Sequence, residues 1–250
     1  LGMSGMARAR WCVRAGAEVT VADTREAPPF LPALQAELPG VRFVAGGFTG
    51  ALVDGQNLSS VYRSPGLSPA SVAPVFNAAR SIGLPTGGEL DLFAFALKGL
   101  REAHGYAPKV LGITGTVGVA GNIGPSLLDT LSERIDAETL PQAWVLELSS
   151  FQLDDCHDFE PTAATVLNIT QDHLDWHGGM QAYADAKAHV FGEQALMVLN
   201  REDPVVMAML PAPVAVPGKR GKTFQRSFVF FGGDMPGCPG DFGLEVVNGM

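Results

Sequence analysis

Lys109–Thr114 (KVLGIT), 143–148 (AWVLEL), 162–169 (TAATVLNI) and 196–199 (LMVL) are short apolar runs rich in β-branched residues, the signature of strands buried on both faces. Helical periodicity marks residues 125–135 and 180–191 between them. Strands alternating with helices specify an α/β domain with a parallel sheet, and such sheets bind ligands at the carboxyl ends of their strands.

Upstream the same alternation recurs. Residues 4–15 (SGMARARWCVRA) read as a helix stopped by Gly16, and 18–22 (EVTVA) as a strand ending at Asp23. A helix is expected over 30–38, strands over 41–44 and 58–62, the turn Ser64-Pro65-Gly66, and a helix over 71–82. Gly87-Gly88 is the expected hinge, dividing the chain into domains 1–88 and 89–250, with a helix over 90–104 opening the second. From Ser227 the pattern turns β-like (SFVFF, FGLEVVNG), as of a hairpin running to Met250.

Among 250 residues, 17 Lys+Arg face 26 Asp+Glu, a formal charge of −9. An acidic chain is a poor match for nucleic acid or an anionic membrane. Hydrophobic residues make up 46% and charged residues 17%, which supplies a core and excludes compositional disorder. The longest uncharged run, 204–218, holds Pro204, Pro211, Pro213 and Pro217 and cannot form a spanning helix. Cys12, Cys156 and Cys238 are odd in number and far apart. They read as reduced thiols of a cytoplasmic protein rather than a disulfide framework or a zinc site. The chain opens at Leu1 without an initiator Met or a basic stretch, so no signal peptide is expected and some native sequence is expected to precede it.

One junction does not connect. KVLGIT runs through Gly115-Thr116 straight into another apolar run, Val117-Gly118-Val119-Ala120, whereas a crossover between parallel strands takes about a dozen residues or more. Either residues are missing between Thr116 and Val117, or the two runs are not neighbouring parallel strands.

Four constellations can carry chemistry. Gly2-x-x-Gly5 at a helix start, with Asp23 at the next strand end, has the logic of a nucleotide site; the other reading is packing glycines and a surface Asp. Glu147, near the end of an apolar strand beside Ser149, Ser150 and Gln152, is either a metal ligand or a capping carboxylate. NITQDHLDWHG (168–178) packs Asp172, His173, Asp175 and His177 into one loop. It can bind a metal, hold a phosphate, act as acid and base, or be a solvated polar loop. Lys187, among alanines and one turn from Tyr183, either snorkels outward or is held as a reactive amine.

Taken in order, SPGLSP (64–69), LGITGT (111–116), GNIGPSLLDT (121–130), LELSSFQL (146–153), NITQDHLDWHG and AYADAK (182–187) resemble the Mur ligases over essentially the whole chain. Within that family they most resemble the member that adds D-glutamate, LELSSFQL with GNIG being the discriminating pair. The resemblance implies an N-terminal Rossmann-like UDP-binding domain, a central P-loop-type ATPase domain, and a C-terminal domain absent from this chain. It also implies a cytoplasmic, monomeric ligase of peptidoglycan precursor synthesis that serves cell shape and division. Its substrates would be UDP-N-acetylmuramoyl-L-alanine and D-glutamate, with ATP and Mg²⁺ as cofactors and neither nucleic acid nor membrane as partner.

By motif position, the resemblance assigns Ser4, Asp23, Thr24 and Arg25 to the uridine nucleotide and Ser64 and Gly66 to its phosphates. Asn122, Ser149, Gln152 and His173 fall to the muramoyl peptide or the reacting phosphate, and Gly115 and Thr116 remain of the ATP loop. Glu147 would hold one Mg²⁺, and His173 with a carbamylated Lys187 a second. The departure is that TGT leads into VGVAGNIG with no Gly-Lys-Ser/Thr, so a phosphate loop and its helix are expected to belong between Thr116 and Val117. Another Mur-type or a folylpolyglutamate-type amide ligase, and a non-catalytic nucleotide-binding fragment, remain as alternatives.

Overall fold

The computed structural model describes residues 1–115, 126–215 and 223–245. The chain divides into two units, Leu1–Gly105 with Gly124–Pro141, and Tyr106–Ile123 with Gln142–Met250.

In the first unit, α1 (Met3–Arg14) begins after an extended Gly2 and turns Met6, Ala7, Arg8 and Ala9 inward. β1 (Thr20–Asp23) pairs in parallel with β2 (Arg42–Ala45), and α2 (Leu31–Glu37) lies between them in sequence. Leu1, Met6, Ala9 and Leu34 form the core there, against Val21 and Phe43. β3 (Val61–Tyr62) pairs in parallel with β4 (Thr86–Gly87) around α3 (Pro69–Ser81), which starts on a Ser68 cap with proline at its first position. Sequence reading put a longer strand over 58–62 and none at β4, because a two-residue strand has no periodicity to read. The Gly87-Gly88 pair ends β4 and opens α4 (Glu89–His104), whose Asp91 Oδ2 accepts a 2.8 Å bond from Gly88 N. α4 stops at Gly105, in the left-handed region at φ 67°. Both α4 and α5 (Leu127–Asp136, capped by Ser126) fall in this unit.

The second unit holds β5 (Lys109–Thr114), β6 (Ala143–Glu147), β7 (Ala163–Val166) and β8 (Leu196–Asn200). β9 (Val214–Ala215) and β10 (Thr223–Phe224) pair antiparallel apart from them. With β11 (Phe228–Phe231) the main sheet reads β11-β8-β7-β5-β6, parallel throughout. The chain moves from β5 outward to β6, then returns to the other side of β5 for β7 and continues to β8. The reversal makes β5/β7 the switch point, where the carboxyl ends of strands leave a crevice.

α6 (Ser150–Leu153), α7 (Leu174–His177) and α8 (Met180–Ala188), the last continued by a 3₁₀ turn His189–Phe191, surround that end. α9 (Pro204–Met207) follows β8. Gly112 lets the layers meet, since a Cβ there would stand 2.8 Å from Val190 Cγ2.

The strand expected over 162–169 stops at Val166. Beyond it Ile169 N donates to the Asp203 side chain at 2.8 Å instead of to a neighbouring strand. The hairpin expected near the end is absent among the described residues, where Phe242 makes one isolated parallel bridge to Phe231. The 117–120 run, the GNIG segment with Asn122, and the Thr116–Val117 junction lie outside the described residues, as do 246–250. Among the described residues no helix is long and apolar enough to cross a membrane.

Candidate functional site

In the first unit the sequence-derived nucleotide residues gather at strand ends. Asp23, buried at the end of β1, accepts 2.9 Å bonds at Oδ1 from Arg25 N and Nε and at Oδ2 from Arg25 Nη2. The Arg25 backbone is thereby folded around the carboxylate. Leu1 N also lies against Asp23 Oδ2. Ser64 follows β3 and faces the first turn of α1, its Oγ 3.8 Å from where a Gly5 Cβ would stand. Leu67 N closes the turn on Ser64 O at 3.0 Å and carries Gly66. Ser4 is half-buried on α1, whereas Thr24 is exposed.

Sequence reasoning passed over the charges beneath this cradle. Arg8, only 6% exposed, donates from Nη2 to Ser64 Oγ, while its Nη1 has no hydrogen-bond partner among the described residues. Burial pushes the Arg8 pKa down to about 10, opposed first by the Glu89 carboxylate. The guanidinium therefore stays charged at neutral pH. Glu89 is itself buried and its Oε1 accepts from Leu128 N at 3.2 Å. The available signal was Arg8 lying between Ala7 and Ala9 on the inward stripe of α1.

In the second unit the switch point holds Lys187. At 3% exposure it does not snorkel. Its Nζ donates a 3.0 Å bond to Thr114 Oγ1 at the end of β5 and sits 5.1 Å from the Tyr183 ring centroid. Burial lowers its pKa to about 8, and the carboxylates of Glu147 and then Asp172 pull the other way. A minor neutral fraction thus exists near physiological pH, larger than for an ordinary lysine. Glu147, at the end of β6, stands in register with Ile113.

His173 opens α7 with φ 51°, a left-handed conformation costly for a non-glycine residue. Its Nε2 is 3.3 Å from Asp172 Oδ2 and its ring lies 4.6 Å from Phe151. Residues 171–175 line an open hollow. Ser149 and Gln152 answer each other: Ser149 Oγ accepts from Gln152 N at 3.3 Å, and Gln152 Oε1 accepts from Ser149 N and Oγ at 3.0 Å. They form a capping box for α6. Gly115 follows β5, a Cβ there meeting Leu167 Cβ at 2.8 Å, while Thr116 and Asn122 lie outside the described residues.

The buried lysine and the carboxylates facing it bear on whether a divalent cation fits. Among the described residues no three His, Cys, Asp or Glu side chains gather closely enough to hold a metal by themselves. A protonated Lys187 cannot be a ligand. As a carbamate it would add oxygen donors beside Glu147, and with that change the donor chemistry suits Mg²⁺.

Two family models match the chain, the Mur ligase middle domain over residues 106–225 and the Mur ligase MurD-like N-terminal domain over residues 1–88. Proteins named UDP-N-acetylmuramoylalanine--D-glutamate ligase from Albidiferax ferrireducens, Polaromonas sp. and Burkholderia mallei are 57%, 45% and 51% identical to it. These matches take in 100% of this chain and 53%, 60% and 52% of the respective relatives. The chain thus spans about half the length of the curated relatives it matches. The alignments run over 270, 356 and 272 positions against 250 residues here, so each relative carries residues within the matched span that this chain lacks.

Proposed function

Since the chain belongs to the Mur ligase family, we propose that it is the UDP-sugar-binding and central portion of a ligase joining D-glutamate to UDP-N-acetylmuramoyl-L-alanine. The observation that carries this reading is 57% identity, across the whole chain, to a relative named for that reaction. The complete enzyme would be a cytoplasmic, monomeric, ATP-dependent ligase that forms an amide through an acyl phosphate in peptidoglycan precursor synthesis. Residues 1–88 would hold the UDP-sugar and 89–250 the central domain.

In the first domain Asp23 and Arg25, with Ser4 and Thr24, would take the uridine nucleotide, and Ser64 and Gly66 its phosphates. Arg8 supports this reading as a fixed positive charge behind the Ser64 hydroxyl. In the second, Asn122, Ser149, Gln152 and His173 would contact the muramoyl peptide or the reacting phosphate. Neutral Lys187 adds through Nζ to the carbon of CO₂ and releases one proton, giving a carbamate. With Glu147 and His173 that carbamate would hold Mg²⁺, whose chemistry is to neutralise phosphate charge.

ATP does not fit the chain as it stands. After β5 the sequence reads TGTVGVAGNIG, with no Gly-Lys-Ser/Thr to cradle phosphates, and no phosphoryl step is assigned to these residues. That feature favours a second reading, a nucleotide-binding fragment that does not turn over. Calorimetric titration with UDP-N-acetylmuramoyl-L-alanine tests both. Binding is expected, weakened at least tenfold by Asp23→Asn, with no ATP-dependent phosphate release on adding D-glutamate. Absence of UDP-sugar binding sinks the family reaction for this chain, and robust phosphate release by it sinks the assignment as well. Release by the complete enzyme should require D-glutamate and fail with L-glutamate, because the inverted centre cannot place amine and carboxylate together.

A further inference from the structure

We propose that His177 is the positioning residue of the 173–177 turn, acting through a hydrogen bond to Ser150 to fix where His173 stands. The His177 side chain is completely buried. Its Nε2 is 3.0 Å from Ser150 Oγ, and its Nδ1 faces Asp154 Oδ1 at 3.6 Å. Serine, imidazole and carboxylate in that order resemble a nucleophilic triad, but Ser150 is 3% exposed and leaves no room for a substrate carbonyl. The arrangement holds structure in place.

What it holds is specific. His177 N and Trp176 N donate to His173 O at 3.2 and 3.1 Å, so the α7 backbone starts from its left-handed N-cap, His173. The His177 ring stacks on Phe151 at 5.8 Å with 4° between planes, and Phe151 in turn lies 4.6 Å from the His173 ring. On its other side His177 meets Tyr183 edge to face at 5.4 Å, the ring beneath Lys187 Nζ. One imidazole therefore spans α6, α7 and α8. A strained backbone persists only where its surroundings over-determine it, and the bond to Ser150 is a polar tie from this turn to α6. The functional weight of the coupling rests on the role proposed above for His173.

Ser150→Ala and His177→Phe remove the bond from opposite ends while keeping apolar bulk, and His177→Gln keeps a nitrogen that reaches the Ser150 hydroxyl. In the full chain at fixed pH, the His173 ring ¹H–¹³C signal, displaced by the Phe151 ring, should move in the first two variants toward that of exposed His104. Deuterium exchange at Trp176 N and His177 N should rise at least tenfold, while β5 amides hold. His177→Gln should restore both. Unchanged signal and exchange in Ser150→Ala and His177→Phe overturns the proposal, as does equal acceleration through β5 or failure of Gln to rescue. No nucleotide or metal enters these measurements, so their failure and that of the ligase reading are told apart.

Discussion

Arg8 in the first unit and Lys187 in the second are both buried cations at the carboxyl ends of strands, and the two are held in opposite ways. Arg8 keeps its charge: burial lowers its pKa only to about 10, and the Glu89 carboxylate is the first charge to oppose that. Lys187, with a pKa brought down to about 8, stands near the point of losing its proton. A delocalised guanidinium tolerates burial as a permanent charge, whereas a compact ammonium buried against a hydroxyl and a ring becomes a convertible amine. The first suits holding an anion, the second being turned into something else.

The comparison breaks most readily on the sign of a stability change. Arg8→Met takes away the donor to the Ser64 hydroxyl and a positive charge that acts on the buried Glu89 carboxylate, and leaving buried polar groups without a partner costs about 1–3 kcal/mol. Lys187→Met removes a cation whose burial is unfavourable, leaving only the Thr114 hydroxyl to find a new partner. It should raise stability at pH 7 by about 2 kcal/mol. Urea unfolding of both variants measures this. Two destabilised variants would mean that Lys187, like Arg8, is paired well enough to repay its burial.

The second test is the pH dependence of the same curves. The folded pKa of Lys187, about 8, lies below its ordinary value of 10.5. Between them the unfolded chain binds a proton that the folded chain does not, so stability rises with pH across pH 8 to 10.5. Well below pH 8 both states are protonated and the full penalty, up to about 3 kcal/mol, is in force. Lys187→Met should lose the lower part of this slope, from pH 8 to roughly 9, while Arg8→Met keeps it there, since the Arg8 midpoint lies higher, at about 10.

These two cations were unequally legible in the sequence. Lys187 stood out as a charge among alanines, and β5, β6, β7 and β8 were plain because buried parallel strands are nearly pure apolar runs. Its partner Thr114 read only as the last residue of a strand. Arg8 sits in MARAR beside Arg10, which is half-exposed and reaches Glu37 at 2.8 Å, and composition does not say which arginine turns inward. Ser149 and Ser150 are adjacent hydroxyls, yet one caps α6 and the other meets His177. A single step along the backbone decides that, and side-chain type does not encode it.

A smaller effect sharpens the account of Lys187. The 3₁₀ turn His189–Phe191, which follows Lys187 directly, lies close on β5 where Gly112 leaves room, and is expected to shield the amine from water. Gly112→Ala pushes a methyl to within 2.8 Å of Val190 Cγ2, overpacking that costs about 1–3 kcal/mol. As the turn lifts, water should reach Lys187 and its pKa should climb back toward the ordinary range, narrowing the pH window above. A shift followed by NMR of the lysine side chain, absent in Gly112→Ala despite lost stability, would place the cause of the depression elsewhere.

The smallest effect serves as the control for both cations. Ser149→Ala deletes the hydroxyl that accepts from Gln152 N, leaving Gln152 Oε1 bound by Ser149 N alone. Loss of an N-cap costs about 1 kcal/mol, and in a helix as short as α6 the damage stays local. Ser150 and His177 keep their own contact, because it uses the next hydroxyl along. Stability should therefore fall slightly at every pH, with the slope between pH 8 and 10.5 unchanged, since neither Lys187 nor Thr114 bonds to Ser149. If that slope flattened in Ser149→Ala, the cap and the buried amine would be one cooperative element, and the depressed Lys187 pKa would belong to the whole strand-end cluster rather than to burial against Thr114 and Tyr183.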